Sequence, residues 1–286
     1  MWFRFPLLAV LAALPALAQI SGSTGAPSYS SDSIVNAATQ TVGALAPNTI
    51  ATIYGTDLAF STRAVTASDI GSVLPVELDG VRVWFNMQKC PLFYISPTQI
   101  NFLIPYQASA GTASIIVSHD ALAGFPVDIQ VHDTSPGLFL WGDNQPLAVH
   151  LDGQLISGLS PALPGEIIVM YAGGLGQFGS TTLLHMQSGQ LATAAFPIQL
   201  APELQVLLNG IPCPPGSVLY AGTTPGFAGL YQINLRLPPD APPNPEIQLV
   251  IGQDSSPGLI RLAIQSFLTG ASRNGQPAGN VQLTRP

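Results

Sequence analysis

The sequence has few charged residues. Only 8% of its 286 residues are Asp, Glu, Lys or Arg, about a third of the roughly 25% that is usual in globular proteins. The chain has eight basic residues, of which Lys89 is the only lysine, and 15 acidic residues, so its net charge is -7. Such a chain has no extended basic surface with which to neutralise phosphate groups. We therefore predict that nucleic acid is not a partner.

The chain also lacks the pattern of long helices. It contains 28 Gly and 27 Pro, which both disfavour the interior of a helix, and no long stretch places apolar residues at helical spacing. Coiled coils and helical solenoids are therefore excluded. Apolar residues make up 47% of the chain, so it can form a core and does not have the composition of a disordered protein.

The N-terminus has the pattern of a cleaved secretory signal peptide. Residues 1–18 combine one basic residue, Arg4, with an apolar run and a small-residue end. The run is about half as long as the roughly 20 residues of a membrane-spanning helix, and a retained anchor is the alternative. Residues 19–33 and 268–286 are predicted to be a flexible linker and a flexible tail. We expect an exported protein that is extracellular, on the cell surface or periplasmic, with no transmembrane segment in the mature chain.

Two halves of the sequence repeat the same blocks in the same order. In each half, a strand-like block ends in Tyr and Gly, a second block carries Cys-Pro followed by Gln-Ile-Asn, and two strand-like stretches close the half. The repeated positions are Tyr54, Gly55, Gln99 and Asn101 in the first half and Tyr171, Gly173, Gln232 and Asn234 in the second. Because these positions recur together, we predict a structural role for them.

The repeats predict an all-β protein. They span residues 34–141 and 142–267, and each is close to the roughly 100 residues of an immunoglobulin-like sandwich. Short stretches rich in Val, Ile, Leu, Tyr and Phe alternate with turn signals. The alternation in residues 81–85 places Val81, Val83 and Phe85 on one face of a strand and Arg82 and Trp84 on the other. We predict two tandem immunoglobulin-like β-sandwiches related by internal duplication.

Four motifs resemble an uncharacterised domain family. They are Tyr54-Gly55-x-x-Leu, Leu74-Pro75 before Leu-Asp-Gly-Val, the block from Cys90 to Asn101, and Ser-Pro-Gly-Leu-Phe at residues 135–139. The resemblance is to the Solibacter-type C-terminal domain of acidobacterial secreted proteins, whose halves are similar to IPT/TIG immunoglobulin-like repeats. It covers about residues 34–265. It implies the fold and an exported location, and because the family has no established activity it implies no catalytic residues.

The catalytic and cofactor motifs that we considered lack their usual context. Residues 174–179 read Gly-x-Gly-x-x-Gly after a strand-like stretch, but no helix pattern follows and no acidic residue lies about 20 residues beyond, as a dinucleotide site requires. The acidic residues are dispersed, with Glu77 and Asp79 the nearest pair, and form no calcium loop. The histidines have no zinc-site spacing; they are His119, His132, His150 and His185. We predict that the protein is not an enzyme and holds no cofactor or metal.

Trp84 is the candidate ligand-stacking residue, because the strand pattern turns it away from Val83 and Phe85. An indole on such a face stacks against a sugar ring or packs against the second repeat. The sequence leaves both alternatives open.

Cys90 and Cys213 are the only cysteines, and each precedes a proline at the same place in its repeat. In an exported protein an even number of cysteines is usually paired, so a disulfide bond between them is one hypothesis. Equivalent positions in head-to-tail sandwiches lie farther apart than the roughly 7 Å limit between Cα atoms. Two buried thiols are therefore the alternative.

The sequence predicts an exported, non-enzymatic module for interaction or adhesion at the cell exterior, with a protein or glycan surface as its partner. A carbohydrate-binding or hydrolase-accessory protein that uses Trp84 is the alternative. A structural spacer without a ligand is the third hypothesis. The exposed loops and sheet faces would supply the contacts.

Overall fold

The computed structural model describes residues 25–179 and 187–266. The predicted signal peptide and tail, the start of the predicted linker and His185 lie outside these residues. In the described residues the chain is all-β, with short 3-10 helices at Ser31–Ser33 and Ala201–Glu203. None of the helices in this part of the chain has the length and apolar character needed to cross a membrane.

The first half of the chain forms two facing sheets. Its strands are β1 (Ile34–Asn36), β2 (Thr41–Val42), β3 (Ile50–Tyr54), β4 (Arg63–Ala64), β5 (Val81–Phe85), β6 (Gln88–Lys89), β7 (Leu92–Ile95), β8 (Gln99–Leu103), β9 (Gly111–His119), β10 (Leu122–Ala123) and β11 (Val127–Val131). One sheet has the order β2-β1-β3-β8-β7-β4, and the other has the order β10-β9-β5-β6, with β11 also paired to β9. All named pairs are antiparallel, as in an immunoglobulin-like sandwich.

The second half repeats this arrangement and begins at Gly137, inside the range 34–141 predicted for the first repeat. Its strands are β12 (Gly137–Leu138), β13 (Ala148–His150), β14 (Ile167–Gly173), β15 (Leu204–Leu208), β16 (Ile211–Pro212), β17 (Val218–Thr223), β18 (Tyr231–Arg236), β19 (Ile247–Ile251) and β20 (Asp254–Ser255). The sheets have the orders β12-β14-β18-β17, with β13 also paired to β14, and β16-β15-β19-β20. The prediction of two tandem all-β sandwiches is confirmed.

Strand alternation places the core between the sheets of each half. In β5, Val81, Val83 and Phe85 are buried and Arg82 and Trp84 are half-buried, as the two-residue period predicts. The first core is built from residues such as Ile53, Phe102 and Ile115, and the second from residues such as Ile168, Ile233 and Leu249. Each half therefore has its own apolar core.

The duplication extends to strand register. Tyr54 pairs with Gln99 between β3 and β8, and Tyr171 pairs with Gln232 between β14 and β18. The register shifts between Leu92 and Tyr94 in β7 and again between Val218 and Tyr220 in β17. A bulge of this kind adds one residue to one strand of a pair. Its recurrence at matching places shows that the halves share their local geometry.

The two sandwiches contact each other along a junction. The Ser135 amide donates to the Gly174 carbonyl at 2.7 Å. The Asn36 side-chain amide donates to the Ser135 carbonyl at 2.9 Å. Three residues of the second half belong to the first core cluster: Leu147, Ala228 and Leu230. The junction therefore includes both hydrogen bonds and buried apolar contacts.

Candidate functional site

The outward face of the β5–β9 sheet carries the predicted stacking residue. Trp84 lies opposite Ile116 of β9 and opposite Lys89 of β6, and Arg82 lies opposite Ser118. All five residues are partly exposed, because the alternating residues of β5 fill the core on the other face. We call these five residues the Trp84 face.

Contacts within the Trp84 face hold the indole ring. Its Nε1–H donates to Ser118 Oγ at 3.2 Å, and the Lys89 ammonium lies 5.5 Å from the ring centroid. A cation at this distance from an indole contributes roughly 0.5–1 kcal/mol at an exposed site. Arg82 Nε donates to Glu77 Oε2 at 2.7 Å. The ring and the neighbouring cations are therefore held in defined positions.

The Trp84 face has the chemistry of a contact surface. A partly exposed indole offers a large apolar area, and its fixed orientation reduces the entropy lost when a partner packs against it. Trp and Arg are enriched among the residues that dominate binding interfaces. The same indole can stack on the apolar face of a sugar, with Ser118 and Arg82 as polar neighbours. The Trp84 contacts identified here, with Ser118 and Lys89, are both within the first sandwich.

The repeated polar residues form the same contact in both halves. Gln99 Nε2 donates to Asn101 Oδ1 at 2.9 Å, and Gln232 Nε2 donates to Asn234 Oδ1 at 3.1 Å. Asn101 is buried, and its Oδ1 also accepts from Thr52 Oγ1 at 3.0 Å. These contacts lie within the sheets.

The repeated tyrosines Tyr54 and Tyr171 are partly buried, as is Tyr220 at the register shift of β17, and Tyr54 and Tyr220 have defined hydroxyl partners. The Tyr54 hydroxyl donates to Gln40 Oε1 at 2.8 Å, and the Tyr220 hydroxyl donates to the Thr223 carbonyl at 2.9 Å. Tyr171 packs against the first core although it belongs to the second half. Burial raises the pKa of all three phenols, so they remain protonated donors at neutral pH.

Two glycines of the Gly-x-Gly-x-x-Gly motif allow the backbone to pack closely at the junction between the sandwiches. Gly174 has φ +70°, and a Cβ at this position would lie 1.9 Å from the Ser135 carbonyl oxygen. At Gly176 a Cβ would lie 2.5 Å from the Asp133 carbonyl oxygen. The loop after β14 can therefore approach the connecting backbone only because these positions lack side chains. Close packing of backbone against backbone explains the motif without a phosphate group.

Three histidines lie in separate environments. His119 is buried, its Nε2 lies 3.3 Å from the Gly25 carbonyl, and its ring contacts Phe60 edge-on at 4.3 Å. His132 Nδ1 lies 3.5 Å from Asp254 Oδ1 across the junction. Within residues 25–179 and 187–266, no group of three or more His, Cys, Asp or Glu side chains is placed to hold a metal ion.

His150 forms a cluster that sequence reasoning missed. Its Nδ1 lies 2.6 Å from Glu166 Oε1, and its Nε2 lies 3.2 Å from the carbonyl and 3.3 Å from Oγ of Ser160. Glu166 Oε2 also accepts from the Leu163 amide at 2.7 Å. Burial lowers the pKa of His150, but the hydrogen bonds and charge of Glu166 outweigh it and the pKa is raised. Because His150 in β13 contacts both Ser160 and Glu166 of the loop between β13 and β14, the cluster stabilises that loop.

Cys90 and Cys213 are both free thiols in the structure. Cys90 lies inside the first core, whereas Cys213 packs against the second core. The structure therefore contains the two-thiol alternative rather than a bond between the repeats. Burial raises the pKa of Cys213 to about 11 and that of Cys90 further, so both thiols are protonated at neutral pH.

A cluster of aromatic residues at the junction was also missed. Tyr231 is fully buried, its hydroxyl donates to the Gly176 carbonyl, and it accepts from Asn48 Nδ2 at 3.1 Å. The Tyr106 hydroxyl donates to the Phe178 carbonyl at 2.5 Å, and the rings of these two residues lie 4.9 Å apart. Tyr231 directly precedes the repeated Gln-Ile-Asn, but Thr98 occupies that place in the first half. The repeat therefore gave no signal for this cluster.

A polar cleft of about 200 Å³ also lies at the junction. Its lining includes His132, Thr134 and Asp254. Thr134 Oγ1 donates to Asp254 Oδ2 at 2.5 Å, and His132 contacts the other oxygen of the same carboxylate. These polar groups already bind one another, so a ligand would have to replace their contacts.

One family model matches the first sandwich. Residues 33–132 match the IPT/TIG domain. This match spans β1 to β11 and supports the immunoglobulin-like nature of the repeats. No curated protein matches the chain.

Similar solved structures include two surface glycan-binding proteins. The Prevotella bryantii protein PbSGBP-B is 14% identical over 82% of this chain and 42% of its own, with a TM-score of 0.27. The Bacteroides ovatus protein SGBP-B, solved with a mixed-linkage heptasaccharide, is 10% identical over 85% of this chain and 46% of its own, with a TM-score of 0.30. The chain spans less than half the length of either protein. Similarity at this level does not indicate a shared ligand.

A third similar structure comprises domains 5–6 of the S-layer protein SbsC. It is 7% identical over 83% of this chain and 98% of the solved chain, with a TM-score of 0.26.

Proposed function

We propose that the chain is an exported, non-enzymatic β-sandwich module that contacts a partner at the cell exterior through the Trp84 face. The observation that carries this proposal is the partly exposed indole held by Ser118 and Lys89 on the outward face of the first sandwich. The predicted signal peptide supports the exported location, and the IPT/TIG match supports an immunoglobulin-like module. The resemblance to the Solibacter-type family is part of the same proposal.

The charge of the Trp84 face adds to the argument. The chain has a net charge of -7, yet the Lys89 ammonium lies over the ring, whereas the charge of Arg82 is balanced by Glu77. Local positive charge on an acidic protein favours approach of a neutral or acidic surface in one orientation. An apolar ring flanked by a cation and a hydroxyl therefore suits a glycan or a mildly acidic protein surface.

The proposal is tested with the mature chain and two tryptophan variants. Trp84→Ala removes the ring from the face, and Trp141→Ala is the matched control because Trp141 is 47% exposed and lies outside it. Binding to purified cell-envelope fragments of the producing organism is measured by sedimentation. We expect Trp84→Ala to lose binding and Trp141→Ala to retain it. Equal binding by the wild type and both variants would contradict the proposal.

Carbohydrate binding is the second candidate function, because the indole has polar neighbours that can bond to hydroxyl groups. A glycan array with the same three proteins tests it. Reproducible binding to one glycan class that disappears only in Trp84→Ala supports the carbohydrate alternative. Envelope binding without glycan binding favours a protein partner, and turnover in a general hydrolase screen would contradict the non-enzymatic assignment.

A further inference from the structure

Cys90 and Cys213 occupy equivalent positions but differ in burial. The Cys90 amide donates to the Val83 carbonyl at 2.8 Å, and the Cys213 amide donates to the Val206 carbonyl at the same distance. Cys90 is 0% exposed, whereas Cys213 is only partly buried. Something that covers the first cysteine is therefore missing over the second.

Residues of the connection between β3 and β5 belong to the same buried core cluster as Cys90. We call residues 63–78 the covering segment. It begins as β4, which pairs with β7, and continues with the Val65 amide donating to the Phe93 carbonyl at 2.8 Å. Farther on, the Leu92 amide donates to the Pro75 carbonyl at 2.8 Å. Val65 and Leu74 are 2% and 4% exposed, so the covering segment closes the side of the first sandwich with buried apolar side chains.

The corresponding side of the second sandwich is open. A groove of about 690 Å³ lies between β15, β16 and the start of β17, and Val206, Cys213 and Val218 form part of its wall. None of the residues that line it is charged. We call this the β17 groove. Its volume falls in the range of about 300–1,000 Å³ that is usual for binding pockets.

Only the second half of the outer edge of β17 is paired. The Ile198 amide donates to the Ala221 carbonyl at 3.0 Å and the Thr223 amide donates to the Phe196 carbonyl at 2.9 Å, as β4 pairs with β7 in the first sandwich. In the described part of the chain no strand is paired to the outer edge of the first half, beside the groove. The connection between β14 and β15 corresponds to the covering segment, which lies between β3 and β5. Its residues 196–198 pair with the second half of β17, whereas residues 187–192 bond to the first sandwich: the Leu74 amide donates to the Gly189 carbonyl and the Leu191 amide donates to the Ser72 carbonyl, both at 2.9 Å.

We propose that the β17 groove binds an extended, uncharged and apolar peptide segment of a partner protein, which adds a strand along the first half of β17. In the first sandwich the matching position beside β7 is filled by the covering segment, in which Val65 and Leu74 are buried. Main-chain hydrogen bonds to an exposed edge supply affinity in this mode of recognition, and pockets for alternate side chains supply specificity. Charged residues normally protect an exposed edge, and the groove has none.

Cys213 reports directly on occupancy of the groove. The probe is a capped synthetic peptide with the sequence of residues 71–76, Gly-Ser-Val-Leu-Pro-Val, which is the uncharged part of the covering segment. Iodoacetamide alkylation of the folded mature chain is followed at pH 9 by mass spectrometry, and Cys90 serves as the buried internal control. At a peptide concentration ten times its Kd, we expect alkylation of Cys213 to slow about tenfold.

A pair of variants locates the protection. Gln205→Lys places a charge on an exposed residue of the groove wall, and we expect it to abolish protection. Gln130→Lys makes the same change on an exposed strand position of the first sandwich, and we expect full protection.

Three outcomes would overturn the proposal. The first is an unchanged rate of Cys213 alkylation at the highest soluble concentration of the peptide, while circular dichroism shows that the chain is folded. The second is equal protection in both variants, which would place the peptide elsewhere. The third is a dimer in sedimentation velocity that Gln205→Lys dissociates, because the occupant would then be a second copy of the chain.

Discussion

Tyr231 provides a quantitative test of the junction between the sandwiches. Its buried hydroxyl donates to the Gly176 carbonyl and accepts from Asn48 Nδ2, so Tyr231→Phe leaves both groups without this partner while keeping the ring. A buried polar group that loses its partner costs about 1–3 kcal/mol. We expect the variant to lose about 2–4 kcal/mol of unfolding free energy, and each kcal/mol lowers Tm by roughly 2–4 °C for a domain of about 150–250 residues.

The assay is thermal and urea unfolding of the mature chain, followed by tryptophan fluorescence and circular dichroism. Tyr54→Phe is the matched control, because the Tyr54 hydroxyl bonds to an exposed glutamine side chain and its removal should change stability by less than about 0.5 kcal/mol. If Tyr231→Phe and Tyr54→Phe are equally stable, the buried hydrogen bonds at the junction do not stabilise the protein and the reasoning is refuted.

Three further predictions concern the junction, the His150 cluster and the thiols. Gly174→Ala should destabilise the chain by clearly more than Gly142→Ala, measured in urea, because both have φ near +70° but only Gly174 has backbone within 4 Å of a new Cβ; equal losses would contradict the clash. The pKa of His150 in the folded chain is raised. The stability that His150 contributes is therefore fully present below its unfolded-state pKa and is lost as the pH rises through its folded-state pKa. The Tm difference between wild type and His150→Gln should shrink over that interval, and a difference that grows with pH would contradict the cluster. Thiol titration of the unfolded chain without reductant should detect two thiols, and in the native chain Cys213 should react faster than Cys90. A disulfide bond between them, with no titratable thiol, would contradict the structure.

Local signals in the sequence predicted the fold well. The alternation in β5 predicted which side chains face the core, and the repeated Tyr-Gly and Gln-Ile-Asn blocks correspond to strands with equivalent register. These features depend on a two-residue period and on short spacings, which the chain shows directly. The position of Trp84 on an outward face follows from the same alternation.

The junction could not be predicted, because its contacts join residues that are distant in sequence. Asn48 and Tyr231 are 183 positions apart, and no periodic pattern marks either residue. The difference in burial between Cys90 and Cys213 could not be predicted either, since each cysteine precedes a proline at the same place in its repeat. Burial at these positions depends on where a connecting segment runs, and residues 63–78 are not part of the repeated motif.

Binding by the Trp84 face is the central claim, and envelope binding by paired tryptophan variants tests it most directly. The account predicts that Trp84→Ala abolishes sedimentation with envelope fragments, while Trp141→Ala, which removes a more exposed ring outside the face, binds as the wild type does. Retained binding by a folded Trp84→Ala chain would contradict it.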